Sequence, residues 1–212
     1  MSGFRAWTLI DGAFREGAAV PVTDRGFRYG MSVFETLAIR GGKILFLREH
    51  LAALDAACAA AGFPLPKAHS LAALQNLPDG LLRIYVTAGD GNLHAPTIDS
   101  RVIAFVESND FPDERQLLLG ARLTVTRAPM IPTLQGWKTG NYWPRVRALG
   151  EACEAGFDET LVLGVEGVVI SAAMANVFFL IDGGLQTPAI GAGARRGVVR
   201  EWVKETMTVK ES

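Results

Sequence analysis

Lys138 has the most chemistry to offer in this sequence. It stands in Gln135-Gly136-Trp137-Lys138-Thr139-Gly140-Asn141-Tyr142-Trp143-Pro144, at the exit of an irregular, proline-bearing segment and just ahead of a helical pattern. A lysine kept from water among aromatic side chains loses proton affinity, and its neutral amine can attack an aldehyde. Trp137, Tyr142 and Trp143 supply aromatic neighbours. The plain alternative is a solvated surface lysine, the usual place for that residue type. A second stretch, Gly191-Ala192-Gly193-Ala194-Arg195-Arg196-Gly197, precedes a helix predicted over Val198 to Thr206. A glycine-rich loop at a helix N-terminus offers backbone N–H groups to a phosphate at the positive end of the helix dipole. Taken alone, such a loop is as often a plain connection.

The elements that must position these residues can be read from periodicity and turn residues. Strands are predicted at Ala6–Ile10, Val33–Ile39, Lys43–Leu47, Leu81–Ala88 and Arg101–Glu107, with turns at Asp11-Gly12 and Gly41-Gly42. A helix over Arg48–Ala61 would bury Leu51, Leu54, Cys58 and Ala61 and end at Gly62; a shorter helix is predicted near Ser70 to Leu77. Ser108 to Glu114 is polar, carries Pro112 and reads as a linker. Beyond it come a strand over Leu117–Thr126 and a helix capped by Asn141, with Tyr142, Val146, Leu149 and Cys153 on one face. Short strands follow at Glu159–Leu163, Val168–Ile170 and Val177–Ile181, then a turn at Asp182-Gly183-Gly184. The expected fold is α+β with two domains. Residues 1–107 form a small N-terminal α/β sandwich, and residues 115–212 a larger, mostly-β C-terminal domain carrying the lysine.

Composition narrows the function classes. The 212 residues are 49% hydrophobic and 20% charged, enough for one good core or two small ones. A net charge of -1 gives no field for nucleic acid or an anionic membrane. Cys58 and Cys153 lie in apolar helical patterns and read as buried thiols of a reducing compartment. His50, His69 and His94 show no ligand spacing, so no metal is expected. The N-terminus lacks a signal-peptide pattern and no apolar run is of spanning length, so the expected location is cytoplasmic.

Taken as an ordered set, these stretches resemble the fold-type IV pyridoxal-phosphate enzymes, which include branched-chain and D-amino-acid aminotransferases and 4-amino-4-deoxychorismate lyase. The carriers are Asp24-Arg25-Gly26-Phe27-Arg28-Tyr29-Gly30 with Val33-Phe34-Glu35-Thr36, then Leu47-Arg48-Glu49-His50-Leu51. Lys138-Thr139-Gly140-Asn141-Tyr142, Ala155-Gly156-Phe157-Asp158-Glu159 and Asn176-Val177-Phe178 follow, and Thr187-Pro188 and Gly197-Val198-Val199-Arg200 complete the set. The resemblance implies a D-amino-acid aminotransferase-like fold, a homodimer, a small amino-acid or aminodeoxychorismate-like substrate and the cofactor pyridoxal 5'-phosphate. It implies that Lys138 holds the cofactor as an internal aldimine and shuttles the proton at Cα. Tyr142 would hydrogen-bond the phenolic oxygen. Gly197, Val198 and Val199 would offer backbone N–H groups to the phosphate, and Tyr29 and Phe34 would line the substrate pocket. Ordinary core packing is the competing role for Tyr29 and Phe34. Arg25 and Arg28 could bind a substrate carboxylate or be plainly solvated, and solvation is the expectation because arginines are mostly exposed.

Several positions depart from the family's pattern. Ala53 stands where an arginine for the phosphate belongs, Ser171 where a glutamate faces the pyridine nitrogen, and Val199 where the phosphate loop has threonine. Arg195, Arg196 and Arg48 are the cations within reach of the first role. The family's pattern also continues past the position of Ser212 with further strands and another phosphate ligand. A serine at the ring nitrogen favours elimination over amino-group exchange. Three readings follow: a lyase or class IV aminotransferase, a degenerate relative that keeps the fold without tight cofactor binding, and a generic α+β binding module.

Overall fold

The structure is a computed structural model describing residues 5–10, 13–65, 77–94, 99–109, 111–126, 128–132, 134 and 136–212. The turn expected at Asp11-Gly12, the helix expected near Ser70 to Leu77 (all but Leu77), His69, Asp110 and Gln135 lie outside the described residues. The chain divides into two compact units. The first holds Met1–Phe111 with Lys138–Gly140, and the second Pro112–Trp137 with Asn141–Ser212. The fold class is mixed α and β, as the residue patterns predict.

The first unit is built on a six-stranded antiparallel sheet. Its strands are β1 (Arg5–Ile10), β2 (Ala13–Glu16), β3 (Ser32–Arg40), β4 (Lys43–Ile44), β5 (Gly80–Thr87) and β6 (Arg101–Glu107), in the order β2-β1-β6-β5-β3-β4. Val33, Phe34, Leu37 and Ile39 make β3 a buried strand of branched and aromatic residues. Its two faces do different things because side chains alternate along a strand. Glu35 meets helix α2 (Leu47–Ala61) through His50, whose Nδ1 lies 2.9 Å from the carboxylate. On the opposite face Phe34 stacks on Tyr85 at 4.4 Å, and Tyr85 on Phe105 at 5.9 Å. The buried face of α2 is His50, Leu54, Ala57 and Cys58. It is rotated from the predicted Leu51–Leu54–Cys58–Ala61 face, since Leu51 and Ala61 are half-buried. Gly62 closes the helix in the left-handed conformation.

Between β2 and β3 the chain forms a short helix that periodicity does not predict, α1 (Arg25–Tyr29). Asp24 is its N-cap, accepting from Gly26 N at 2.7 Å and Phe27 N at 3.3 Å. The other carboxylate oxygen accepts from Thr87 Oγ1 at 2.8 Å and from Arg101 Nη1. Arg101 Nη2 also reaches Asp90 at 2.9 Å. The expectation of a solvated Arg25 is overturned. It is 2% exposed and donates to Ala88 O at 2.6 Å and Gly89 O at 3.4 Å, so its charge is spent on the carbonyls that follow β5. Arg28 is exposed as expected and lies over the Tyr29 ring.

The second unit departs most from the sequence reading. Where a strand over Leu117–Thr126 was expected, there is a helix, α3 (Glu114–Leu119), followed by a short strand, β7 (Leu123–Val125). The reason is local: Asp113 and Gln116 form a reciprocal capping box that starts a helix, and Gly120 ends it. Helix α4 (Trp143–Glu154) is capped by Tyr142, not Asn141, since its first helical bond runs from Val146 N to Tyr142 O. Its inward face is Arg145, Ala148, Leu149 and Ala152, which leaves Cys153 exposed rather than buried.

Two three-stranded sheets complete this unit. One joins β7, β8 (Glu159–Leu163) and β9 (Val169–Ala172). The other joins β10 (Phe179–Ile181), β11 (Gly184–Thr187) and β12 (Val209–Glu211). β7 and β8 are parallel, as are β11 and β12. Such pairs need a crossover, supplied by α4 and by α5 (Val198–Thr206) respectively. Val162, Ile170 and Ala173 form a small core with Met130 and Leu149 packed on it. Among the described residues no cluster of three metal-ligating side chains gathers, and no helix is long and apolar enough to cross a membrane.

Two measurements check this packing. Asp24→Ala removes the cap of α1 and leaves Arg101 and Thr87 without their buried acceptor. It should cost about 3 kcal/mol in urea unfolding, the usual penalty for breaking a buried pair from one side. Burial, aided by the nearby Asp55 carboxylate, pushes the Cys58 thiol up to about 12. At pH 8 a disulfide reagent should therefore label Cys153 alone in the native chain and both thiols once it is unfolded.

Candidate active site

Lys138 belongs to the first unit together with Thr139 and Gly140, although the residues on either side of these three do not. β4 pairs with only the last residues of β3, so the other end of that edge is open to a partner. Residues 138–140 fill it. Phe34 N donates to Lys138 O at 3.0 Å, Gly140 N donates to Ser32 O at 2.9 Å, and Val33 and Thr139 face each other as an antiparallel bridge. A Cβ on Gly140 would meet Ser32 Oγ, so a larger residue there would have to turn that hydroxyl aside.

This pairing delivers the lysine amine to one place. Lys138 is 8% exposed, its Nζ donates to Thr36 Oγ1 at 2.8 Å, and the same nitrogen sits 4.4 Å from the centre of the Phe34 ring. The solvated surface lysine is thereby excluded. The aromatic partner is Phe34 across the edge of β3; Trp143 is 74% exposed. Thr36 was not singled out from the sequence. The strand period carried the signal, because Phe34 and Thr36 must share a face. Tyr29, the last residue of α1, is half-buried, with the Arg28 guanidinium 4.8 Å from its ring centre.

The second unit gathers the other candidates. Tyr142 is the half-buried N-cap of α4. One turn on, Arg145 Nη1 donates to Ser171 Oγ at 3.0 Å, Ala172 O at 2.9 Å and Ala173 O at 3.1 Å. Ser171 is buried on β9. Burial holds the Arg145 guanidinium below the usual arginine range. Tyr142 and Glu159 oppose that shift, and the neighbouring Arg195 charge reinforces it. Glu159 accepts from Thr160 N, Ala173 N and Met174 N at 2.8 to 3.2 Å, which fixes the start of β8 against the end of β9.

Gly197 is the N-cap of α5, and no side chain caps that helix. A Cβ at Gly197 would run into Asn176 Oδ1, and Asn176 Nδ2 donates to Arg195 O at 2.9 Å. Val198 is half-buried and Val199 exposed. Thr187 Oγ1 donates to Val177 O at 2.8 Å, and the buried Arg200 donates to Pro188 O at 3.0 Å while pairing with Glu201 and Glu211. Ala53 is a half-buried alanine on α2. In the first unit a buried, oriented amine can attack an aldehyde; in the second, the N-terminus of α5 has no side-chain cap.

A family model described as amino-transferase class IV matches residues 32–212. The crystal structure of 4-amino-4-deoxychorismate lyase from Pseudomonas aeruginosa superposes with a TM-score of 0.83 at 33% identity, covering 95% of this chain and 76% of that one. An aminodeoxychorismate lyase of Vibrio harveyi is 27% identical over 199 residues, covering 88% of this chain and 72% of that protein. A putative branched-chain-amino-acid aminotransferase of Methanocaldococcus jannaschii is 29% identical over 211 residues, covering 92% of this chain and 72% of that protein.

The tight fit at Gly197 makes a measurable demand. Gly197→Ala should lower stability by about 1–3 kcal/mol through overpacking. Asn176→Ala in the same chain should recover part of that loss, read as a coupling energy in denaturant melts.

Proposed function

The chain belongs to the amino-transferase class IV family, whose members are pyridoxal-phosphate enzymes, and on that premise we propose that it is a 4-amino-4-deoxychorismate lyase or a closely related aminotransferase working through Lys138. The observation that carries this reading is the Lys138 amine, 8% exposed and held by Thr36 and Phe34. Surface lysines gain nothing from such an arrangement, and a degenerate relative has no use for it.

Each residue then has a task. Thr36 Oγ1 fixes the position of Nζ, and the Phe34 ring keeps water from it. Lys138 Nζ moves the proton at the Cα of the substrate. Tyr142 would donate its phenolic hydroxyl to the cofactor's phenolic oxygen, and the first turn of α5, Gly197 to Val199, would give its N–H groups to the phosphate. Tyr29 and Phe34 border the substrate. Bound there, pyridoxal phosphate supplies an electron sink for the bonds at Cα.

Ser171 tilts the chemistry toward elimination. Its Oγ accepts from Arg145, so its own proton is left to donate. A hydroxyl donor backed by a guanidinium does not hold a proton on a ring nitrogen as a carboxylate does. The electron sink is then weaker, which burdens amino-group exchange more than expulsion of a leaving group. The relatives include lyases at 33% and 27% identity and an aminotransferase at 29%. A cytoplasmic homodimer goes with this reading.

Two linked measurements test it. After incubation with pyridoxal phosphate and reduction with borohydride, the peptide containing Lys138 should gain the mass of the reduced cofactor, and Lys138→Ala should abolish the gain. Loaded protein should release pyruvate from an enolpyruvyl amine faster than it exchanges amino groups with keto acids. Unmodified Lys138 would remove the proposal, and clean exchange without pyruvate would remove its lyase half.

A further inference from the structure

Behind the amine, on the other face of β3, an ionisable pair interrupts the apolar layer beneath helix α2. Side chains alternate along a strand, so Val33, Leu37 and Ile39 share that face with Glu35, and Ile84 of β5 lies opposite Glu35 in the register. These residues are buried, as are Leu54, Ala57 and Cys58 of α2. Glu35 is 5% and His50 8% exposed, with His50 Nδ1 2.9 Å from the Glu35 carboxylate. Such a pair is a poor route to stability. Withdrawing both groups from water costs about what their contact returns, and two apolar side chains of similar volume often hold a layer as well or better.

What the pair has and an apolar contact lacks is direction. Hydrophobic contact is non-directional, so a strand can rock beneath a helix at little cost. A hydrogen bond weakens steeply with length and angle. Glu35 also stands where direction matters. It lies between Phe34 and Thr36, whose side chains hold the Lys138 amine. It follows directly on the Phe34 N–H that donates to Lys138 O. The segment carrying the lysine is lightly tied, with backbone hydrogen bonds from Phe34 N to Lys138 O and from Gly140 N to Ser32 O. A small rotation of β3 about its own axis at residue 35 would carry Phe34 and Thr36 away from the amine together.

We infer that Glu35 and His50 are positioning residues for Lys138. Acting from the far face of the strand, the pair fixes the rotation of β3 against α2, so that Phe34 and Thr36 meet the amine in one geometry. The consequence for catalysis rests on the proposed function; the geometric role does not.

The test replaces both partners at once. Glu35→Met combined with His50→Leu keeps the volume and removes the polar contact. Its Tm should match or exceed that of wild type, as happens when packing replaces a buried ionic pair. In the same variant, without cofactor, the Phe34 and Gly140 amides should exchange with solvent about tenfold faster, the equivalent of one lost hydrogen bond, while the amides of β5 keep their protection. Attachment of pyridoxal phosphate at Lys138, trapped with borohydride and followed by mass, should slow by a similar factor. Among single variants, His50→Asn keeps a side-chain N–H near the place of Nδ1 and should restore the amide and attachment rates that His50→Ala loses. A folded double variant with wild-type exchange at Phe34 and Gly140, or with wild-type attachment, overturns the inference. Equally faster exchange throughout β3, β5 and β6 overturns it too, since the pair would then serve stability alone. Should the double variant not fold, equal exchange in His50→Ala and His50→Asn overturns it. Loosening confined to Phe34 and Gly140, in a chain whose wild-type Lys138 takes up no cofactor, upholds the positioning role while removing the proposed function.

Discussion

Everything chemical here depends on a three-residue pairing along the edge of β3. Two backbone hydrogen bonds, from Phe34 N to Lys138 O and from Gly140 N to Ser32 O, fix residues 138–140 beside the strand. A net backbone hydrogen bond is worth only about 1 kcal/mol. Its effect here is geometric. It sets the register, and register decides which side chains share a face. In this register the lysine falls on the side of Phe34 and Thr36. The other side carries Glu35, which α2 already holds through His50. A slip of one residue would turn the amine to the other face.

The second unit uses arginine in two opposite ways. Arg200 is fully buried; Pro188 O, Glu201 and Glu211 hold its terminal nitrogens, while Nε has no hydrogen-bond partner among the described residues, and the residue ties α5 to the strand on either side of it. Arg145 instead donates to neutral acceptors, the Ser171 hydroxyl and the carbonyls of Ala172 and Ala173, and so ties α4 to the end of β9. The first arrangement answers charge with carboxylates, the second with neutral oxygens.

How legible this was depended on the range of the forces involved. The strands of the first unit, helix α2 with its Gly62 end and helix α5 follow from periodicity and caps, which act within a few residues. The same locality misled for Leu117–Thr126, where a hydrophobic run outweighed the capping box of Asp113 and Gln116 that starts α3. Helix α1 was missed because its cap, Asp24, is held by Thr87 and Arg101, both distant in sequence. Arg25 was misjudged for the same reason, since its acceptors follow β5. Lys138 could be singled out by type and neighbours. Its contact with Thr36 could not, being a pairing across 102 positions. The family's ordered motifs were readable along the whole chain. The fit of Gly197 against Asn176 was not, having no signature beyond two small or polar residues.

The path of the chain has one more consequence. It leaves the first unit after Phe111, returns for three residues at Lys138–Gly140, and departs again. The two units are therefore not separable beads on a string. A fragment stopping at Phe111 would keep the six-stranded sheet but lose the segment that covers the end of β3, leaving bare amides and carbonyls along that edge, an invitation to strand exchange with another molecule. A fragment beginning at Pro112 would carry the lysine without the strand that gives it a home. Modular shuffling of such a chain is barred by its own threading: neither half can be inherited alone with its chemistry intact.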